Sequence, residues 1–307
     1  MVENVIIIGS GPGGLSAAVY TAREEFKPLI LGGSISGGQL MLTTIVENIP
    51  GFPEGIDGPE FINRLQKQAL KFGARILNED VIDVDFNSRP FKVKTNENTY
   101  EAHTLIIATG AKSRELGIPS EKKFYGRGVS ECATCDAPLF KGKDNVVVIG
   151  GGDTAMEDAD FLTKYVKNVT IIHRRDAFRA SKVMQERVLS NPKIKIIWNS
   201  GVEEILGDKT VSGVRIINYK TNETSEISAQ GVFLAIGRIP NTKFLEGKLK
   251  LDDQGYIVTK EGIFTDIEGV FALGDCADRF YKQAGTATGD GIKAALRVRE
   301  FLSNMKK

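Results

Sequence analysis

The same local pattern, an apolar strand, a glycine-rich turn and a helix, occurs twice in this chain, and it limits the fold more than any other feature. The first copy is Asn4-Val5-Ile6-Ile7-Ile8, then Gly9-Ser10-Gly11-Pro12-Gly13-Gly14, then Leu15-Ser16-Ala17-Ala18-Val19-Tyr20. The second is Asn145-Val146-Val147-Val148-Ile149, then Gly150-Gly151-Gly152-Asp153-Thr154-Ala155, then Met156-Glu157-Asp158-Ala159. Each apolar run suits a buried parallel strand. The glycines allow a tight turn and let the backbone approach a pyrophosphate seated on the helix N-terminus. One such motif is no more than a glycine-rich turn of an α/β protein. Two, each placed between strand and helix, point to two dinucleotide sites.

The residues after each turn bear on the ligand. A site for NAD places an acidic residue about 20 residues on, where it holds the ribose hydroxyls. After the second turn, strand Asn168-Val169-Thr170-Ile171-Ile172 runs instead into His173-Arg174-Arg175-Asp176, with Arg179 close behind. Cations there pair with a ribose 2′-phosphate, so the second site is expected to prefer NADPH. After the first turn, Pro28-Leu29-Ile30-Leu31 runs into Gly32-Gly33-Ser34 with no carboxylate, so other groups must hold that ribose. A polar, turn-rich stretch comes next, with Gly37-Gly38-Gln39-Leu40, Thr43-Thr44 and Val46-Glu47-Asn48-Ile49-Pro50-Gly51. Near the end, Gly269-Val270-Phe271-Ala272-Leu273-Gly274-Asp275-Cys276 delivers Asp275 at the carboxyl end of a strand, the usual ligand edge of a parallel sheet. Gln283-Ala284-Gly285-Thr286-Ala287-Thr288-Gly289 then opens a helix of small residues.

A chain of 307 residues suits two domains. Its 40 Lys and Arg against 39 Asp and Glu leave a net charge of +1, which gives no reason to expect a nucleic acid or an anionic membrane as partner. Apolar runs are of strand length, far short of a membrane span, and the start carries no basic segment followed by a long apolar run. A cytoplasmic location is the expectation. With 3 Cys and 2 His, the chain cannot assemble a convincing metal site. Cys132-Ala133-Thr134-Cys135 is a poor structural staple, because a two-residue gap closes a tiny loop. In a reducing compartment such a pair reads as redox chemistry.

Taken in order along the chain, these motifs resemble the low-molecular-weight, bacterial-type thioredoxin reductases, and the likeness spans nearly the whole sequence. It runs through residues 9–14, 37–40 and 46–51, then Ala108-Thr109-Gly110, Cys132-Ala133-Thr134-Cys135-Asp136, residues 150–155, His173-Arg174-Arg175, Ala235-Ile236-Gly237 and Gly274-Asp275. The resemblance implies an α/β protein of two Rossmann-like dinucleotide-binding domains, the NADPH domain inserted into the FAD domain. On that reading residues 1–112 and 241–307 form the FAD domain, and residues 113–240 the NADPH domain carrying the dithiol.

The FAD set implied begins with Gly9, Gly11, Pro12, Gly13 and Gly14. It continues with Gly38, Gln39, Leu40, Thr44 and Asn48, then Val81, Ala108, Thr109 and Gly110, and ends with Gly274, Asp275, Lys282, Gln283 and Ala284. The NADPH set implied is Gly152, Asp153, Thr154, His173, Arg174, Arg175 and Arg179, with Ile236 and Gly237 completing the cofactor-binding residues. Hydride is expected to pass from NADPH to FAD, and electrons then to the Cys132–Cys135 disulfide and to a thioredoxin-like protein. By the same likeness Cys135 faces the flavin, Cys132 attacks the substrate and Asp136 gives a proton to a leaving thiolate. The resemblance also implies a domain rotation that lets nicotinamide and dithiol visit one flavin in turn, and a homodimer.

Three positions depart from the family pattern. Asp136-Ala137-Pro138 lacks the usual glycine after the aspartate, Lys282 stands where arginine is common, and Cys276 follows the flavin aspartate. For Cys276 a small buried packing residue is the better reading. Two other functions compete. A flavin reductase serving ferredoxin or a glutaredoxin-like carrier is disfavoured by the dithiol, and a non-enzymatic redox sensor by the intact NADPH cluster.

Overall fold

The computed structural model describes residues 2–34, 36–43 and 45–305; Thr44, named above among the FAD residues, lies outside them. The chain divides into two units, Met1–Lys112 with Ile239–Lys307, and Ser113–Arg238.

In the first unit, strand Val2–Ile8 lies between two parallel neighbours, Leu29–Leu31 and Thr99–Ile107. A strand enclosed on both sides and on both faces needs an unbroken apolar run, and Val5, Ile6, Ile7 and Ile8 are all buried. Register pairs Ile6 with Leu29 on one side and with Leu105 on the other. The sheet has seven strands, ordered Arg75–Leu77, Leu29–Leu31, Val2–Ile8, Thr99–Ile107, Phe91–Thr95 and Val81–Asp85, with Val270–Ala272 also paired to Thr99–Ile107. Phe91–Thr95 and Val81–Asp85 join as antiparallel strands. Phe91–Thr95 alternates buried and exposed residues, as a strand with one wet face does. Helix Pro12–Arg23 starts with proline in its first turn, where the missing N–H costs nothing. Gly13, Gly14, Ala17 and Ala18 are among its buried residues, and it packs against helix Ala284–Met305, where Gly291 meets Gly13 and Ala17.

The second unit has a parallel sheet in the order Val129–Ser130, Gly231–Ala235, Asn145–Gly150, Asn168–Ile172 and Ile194–Ile197. An antiparallel meander of Ser200–Gly207, Val211–Asn218 and Thr224–Ser228 adds a second layer. Helix Asp153–Leu162 buries Ala155, Met156, Ala159 and Leu162, residues at the spacing of one helical face. Among the described residues, no helix is long and apolar enough to cross a membrane, and no three His, Cys, Asp or Glu are grouped to hold a metal ion.

Candidate active site

Both glycine turns sit at the carboxyl end of the central strand of their own sheet, each immediately before a helix. In the first unit, Gly9 has a φ of 111°, and its N–H donates to Leu31 O at 2.8 Å. A Cβ on Gly9 would fall on the Ala108 carbonyl oxygen, and one on Gly14 on the Gly9 carbonyl oxygen. Gly11, the N-cap of helix Pro12–Arg23, differs: nothing lies within 4 Å of where its Cβ would be. The turn is therefore tight behind and open in front, the shape a dinucleotide phosphate needs to approach backbone N–H groups.

Ser10, which sequence reasoning does not select, wires the next loop to this turn. Its hydroxyl donates to Gly32 O at 3.1 Å and accepts from Gly37 N at 2.8 Å. Gly37 and Gly38 have φ of 99° and 71°, and Gly38 begins the short 3-10 helix Gly38–Leu42 that carries Gln39 and Leu40. Gln39 Nε2 donates to Ala111 O at 3.0 Å. A carboxylate from elsewhere in the chain reaches the loop after Leu31: Asp80 Oδ1 accepts from Ser34 N at 2.9 Å. Val81 follows Asp80 at the start of its strand, opposite Thr95. Asn48 Nδ2 donates to Gln283 Oε1 at 3.0 Å, joining two predicted site residues that are 235 positions apart.

At the third glycine site, Gly274 has a φ of 65° and Asp275 lies in the turn Gly274–Cys276. Asp278 accepts the N–H groups of Phe280, Tyr281 and Lys282, shaping the loop before Gln283 and Ala284, and Lys282 Nζ lies 5.7 Å above the Tyr256 ring. Thr109 and Thr288 each bury a hydroxyl oxygen with no hydrogen-bond partner among the described residues. With the open space at Gly11, these orphaned hydroxyls fit a polar dinucleotide such as FAD in the first unit. Cys276 is fully buried in the apolar core, its Sγ donating to Leu273 O at 3.2 Å, and burial pushes its thiol up. It packs the core of the sheet.

The second unit repeats the plan. A Cβ on Gly150 would fall on the Ala235 carbonyl oxygen, whereas Gly152, the N-cap of helix Asp153–Leu162, again faces open space. Asp153 Oδ1 accepts from Ser181 N at 2.8 Å, and Arg179 N donates to Gly151 O at 2.8 Å, so the Arg-bearing loop is tied to the glycine turn. Arg174, Arg175, Arg179 and Thr154 are exposed, and none of the three arginines has a carboxylate partner among the described residues. Unspent cations beside an open helix N-terminus fit the 2′-phosphate of NADPH. His173 differs from the arginines beside it in being buried. Its ring lies under Gly151 and against Phe178 and Trp198, with Nε2 3.0 Å from Ala177 O. Burial is the largest influence on its pKa and pushes it down, with the Ala177 and Gly150 carbonyls opposing. At the far end of the unit, Ile236 is half-buried, and Gly237, with a φ of 103°, accepts from Arg114 N at 2.9 Å.

Cys132 and Cys135 form a disulfide with Cα atoms 5.3 Å apart. Cys132 is the N-cap of the short helix Ala133–Asp136, which packs against helix Asp153–Leu162. Cys132 O accepts from Asp136 N at 3.1 Å. Ala137, in place of the usual glycine, is fully buried in the same core as Ala133 and Phe140, so its methyl group is packing. Two residues before the pair, buried Ser130 bonds to both Cys132 and Asp136. Glu131, next to Cys132, accepts from the Ser113 hydroxyl; its burial, opposed by that bond, holds its pKa above the usual carboxylate range.

An active-site disulfide with two dinucleotide cradles in one chain defines a class: the chain belongs to the pyridine nucleotide-disulphide oxidoreductases, whose family profile matches residues 3–291. Within that class it is 50% identical to the thioredoxin reductase of Rickettsia felis over 304 residues, 97% of this chain and 98% of the relative. The thioredoxin reductase of Chlamydia pneumoniae is 50% identical over 308 residues, 98% of this chain and 99% of the relative. Among solved structures, the thioredoxin reductase from Giardia duodenalis matches with a TM-score of 0.93 at 43% identity, covering 97% of this chain and 98% of its own. The fold class read from the sequence, paired Rossmann-type nucleotide-binding domains, is that of these structures.

Proposed function

We propose that this chain is an NADPH-dependent thioredoxin-disulfide reductase, a reading carried by the Cys132–Cys135 disulfide standing two residues beyond a buried serine that bonds to Asp136. When bound, FAD and NADPH supply the two electrons that reduce that disulfide. Gly11, Gln39, Asn48, Thr109, Asp275 and Gln283 would hold FAD. Gly152, Thr154, Arg174, Arg175 and Arg179 would hold NADPH.

The chemistry of the dithiol is that of thiol exchange. In the reduced pair, the Cys132 thiolate attacks one sulfur of the substrate disulfide, forming a mixed disulfide and expelling a substrate thiolate. Asp136 gives that thiolate its proton, because no histidine lies near the pair in sequence and a carboxyl group is the local acid. The Cys135 thiolate then attacks Cys132 Sγ, which re-forms the Cys132–Cys135 bond and frees the second substrate thiolate. The two electrons have then left the chain, and the substrate takes up one proton per sulfur. The acceptor is a thioredoxin-like protein, and the working form is a homodimer in the cytoplasm, a setting where this reducing chemistry belongs.

The test is steady-state NADPH oxidation by the purified flavoprotein, with oxidised thioredoxin or with ferredoxin as acceptor. Turnover with thioredoxin that is lost in both Cys132→Ser and Cys135→Ser is expected. Turnover with ferredoxin alone, or unchanged thioredoxin reduction in either variant, would sink the reading.

A further inference from the structure

Ser130 ends the short strand Val129–Ser130 and is buried where the chain leaves the sheet for the dithiol. Its hydroxyl has three polar neighbours. It lies 2.6 Å from Asp136 Oδ2, accepts from the Cys132 N–H at 3.1 Å, and lies 3.4 Å from Cys132 O. A hydroxyl has one hydrogen to give. Between an acceptor at 2.6 Å and one at 3.4 Å, the short contact to a carboxylate takes it, since charge-assisted bonds are both shorter and stronger.

From this geometry we infer that Ser130 is a positioning residue for thiol exchange, one that holds the Asp136 carboxyl in place relative to Cys132. The inference rests on the proton role assigned to Asp136 above. An aspartate side chain turns about two bonds, and a half-buried one can swing toward water between turnovers. Ser130 restrains it, and the same oxygen is anchored to the backbone N–H of the attacking cysteine. The acid is thus fixed to the residue whose reaction it serves. The longer contact completes the device. When Asp136 carries a proton, its O–H can donate to Ser130 Oγ, and the serine hydrogen turns to Cys132 O. The carboxyl therefore keeps its tether in both protonation states, as an acid used once per cycle requires.

A buried serine could serve folding alone, so the test must separate the two roles. NADPH-driven reduction of oxidised thioredoxin is measured for the holoenzyme and for Ser130→Ala, Ser130→Thr, Asp136→Asn and the Ser130→Ala/Asp136→Asn double variant. Ser130→Ala is expected to lower kcat about tenfold with KM for thioredoxin unchanged, and Ser130→Thr, which keeps the hydroxyl, to recover most of it. In the Asp136→Asn background, Ser130→Ala should cost nothing further, because a restraint on an absent acid has no effect. An equal loss from Ser130→Ala in both backgrounds, full activity of Ser130→Ala, or a Ser130→Thr protein as impaired as Ser130→Ala would overturn the inference. If Asp136→Asn alone keeps the parent rate, it is the proton role of Asp136 that fails instead.

Discussion

Gly291 lies so close to the Gly13 carbonyl oxygen that a Cβ at position 291 would overlap it. Helices Pro12–Arg23 and Ala284–Met305 cross at this point, and a Cβ on Gly13 would in turn lie 2.9 Å from Ala287 O. Both obstacles are backbone, which no rotamer change can move aside. The first glycine turn is therefore seated on the last helix of the chain.

Gly291→Ala sets two effects against each other. Alanine improves a helix interior by about 1 kcal/mol, whereas forcing apart a tightly packed backbone crossing costs about 1–3 kcal/mol. The clash should win, because helix Pro12–Arg23 cannot retreat without displacing Gly9 and Gly11. A lower temperature of flavin release is expected. Fluorescence of Trp198, the single tryptophan and a residue of the other unit, should report a smaller change. Flavin held as tightly as in the parent would show that the crossing has slack.

Replacing Arg174 and Arg175 together by glutamine should weaken NADPH binding by about tenfold or more for each arginine–phosphate pair removed, with little change for NADH. Isothermal titration with both nucleotides measures the difference. A parent protein that already prefers NADH would remove the role given to these side chains.

Glu131 gives a pH dependence of defined sign. Burial raises its folded-state pKa, with Glu121 and Glu115 adding to the rise and Ser113 and Arg238 opposing it. A raised carboxyl favours the protonated form in the folded state, so its contribution is present at acid pH and is lost as pH rises through the folded pKa. Glu131→Gln keeps an acceptor for Ser113 and never ionises. Its urea midpoint should exceed the parent's at mildly alkaline pH and converge with it in acid. A constant offset at every pH would show that charge is not the cause.

Cys276 should be silent while the protein is folded. After reduction, the native chain should expose two thiols to an aromatic disulfide reagent, those of Cys132 and Cys135, and the third only on denaturation. Rapid labelling of three thiols in the native state would contradict the burial of Cys276.

The dinucleotide units can be read from the sequence because their grammar is local: strand, glycines and helix are contiguous, and two copies reinforce each other. The polar wiring around them cannot. Ser10 reaches Gly37, 27 positions on, and Asp80 reaches Ser34 across 46, pairings that only the folded sheet creates. Nothing in the local sequence marks Asp80 as the partner of Ser34, because it arrives from the loop before strand Val81–Asp85. The burial of His173 is hidden in the sequence for a related reason. Its neighbours along the chain are arginines, but its neighbours in space are Gly151, Phe178 and Trp198. Ser130 gives a faint signal, a small polar residue at a strand end before a dithiol, whose meaning appears only once the chain turns Asp136 back toward it.

The first unit is made of the two ends of the chain, and this dictates an order of events during synthesis. Strand Thr99–Ile107 emerges early, yet its partner Val270–Ala272 is among the last strands made. At about 5–20 residues per second the open edge at Leu105, Ile106 and Ile107 waits roughly ten to thirty seconds for its neighbour. Residues Ser113–Arg238 are contiguous, so every pairing of their own sheets becomes available once that stretch has emerged, without waiting for Val270–Ala272. The middle of the polypeptide therefore matures before its beginning. During that interval the nascent N-terminal segment presents an apolar strand edge and a helix, Pro12–Arg23, not yet covered by Ala284–Met305, which makes it the part of the chain most exposed to aggregation.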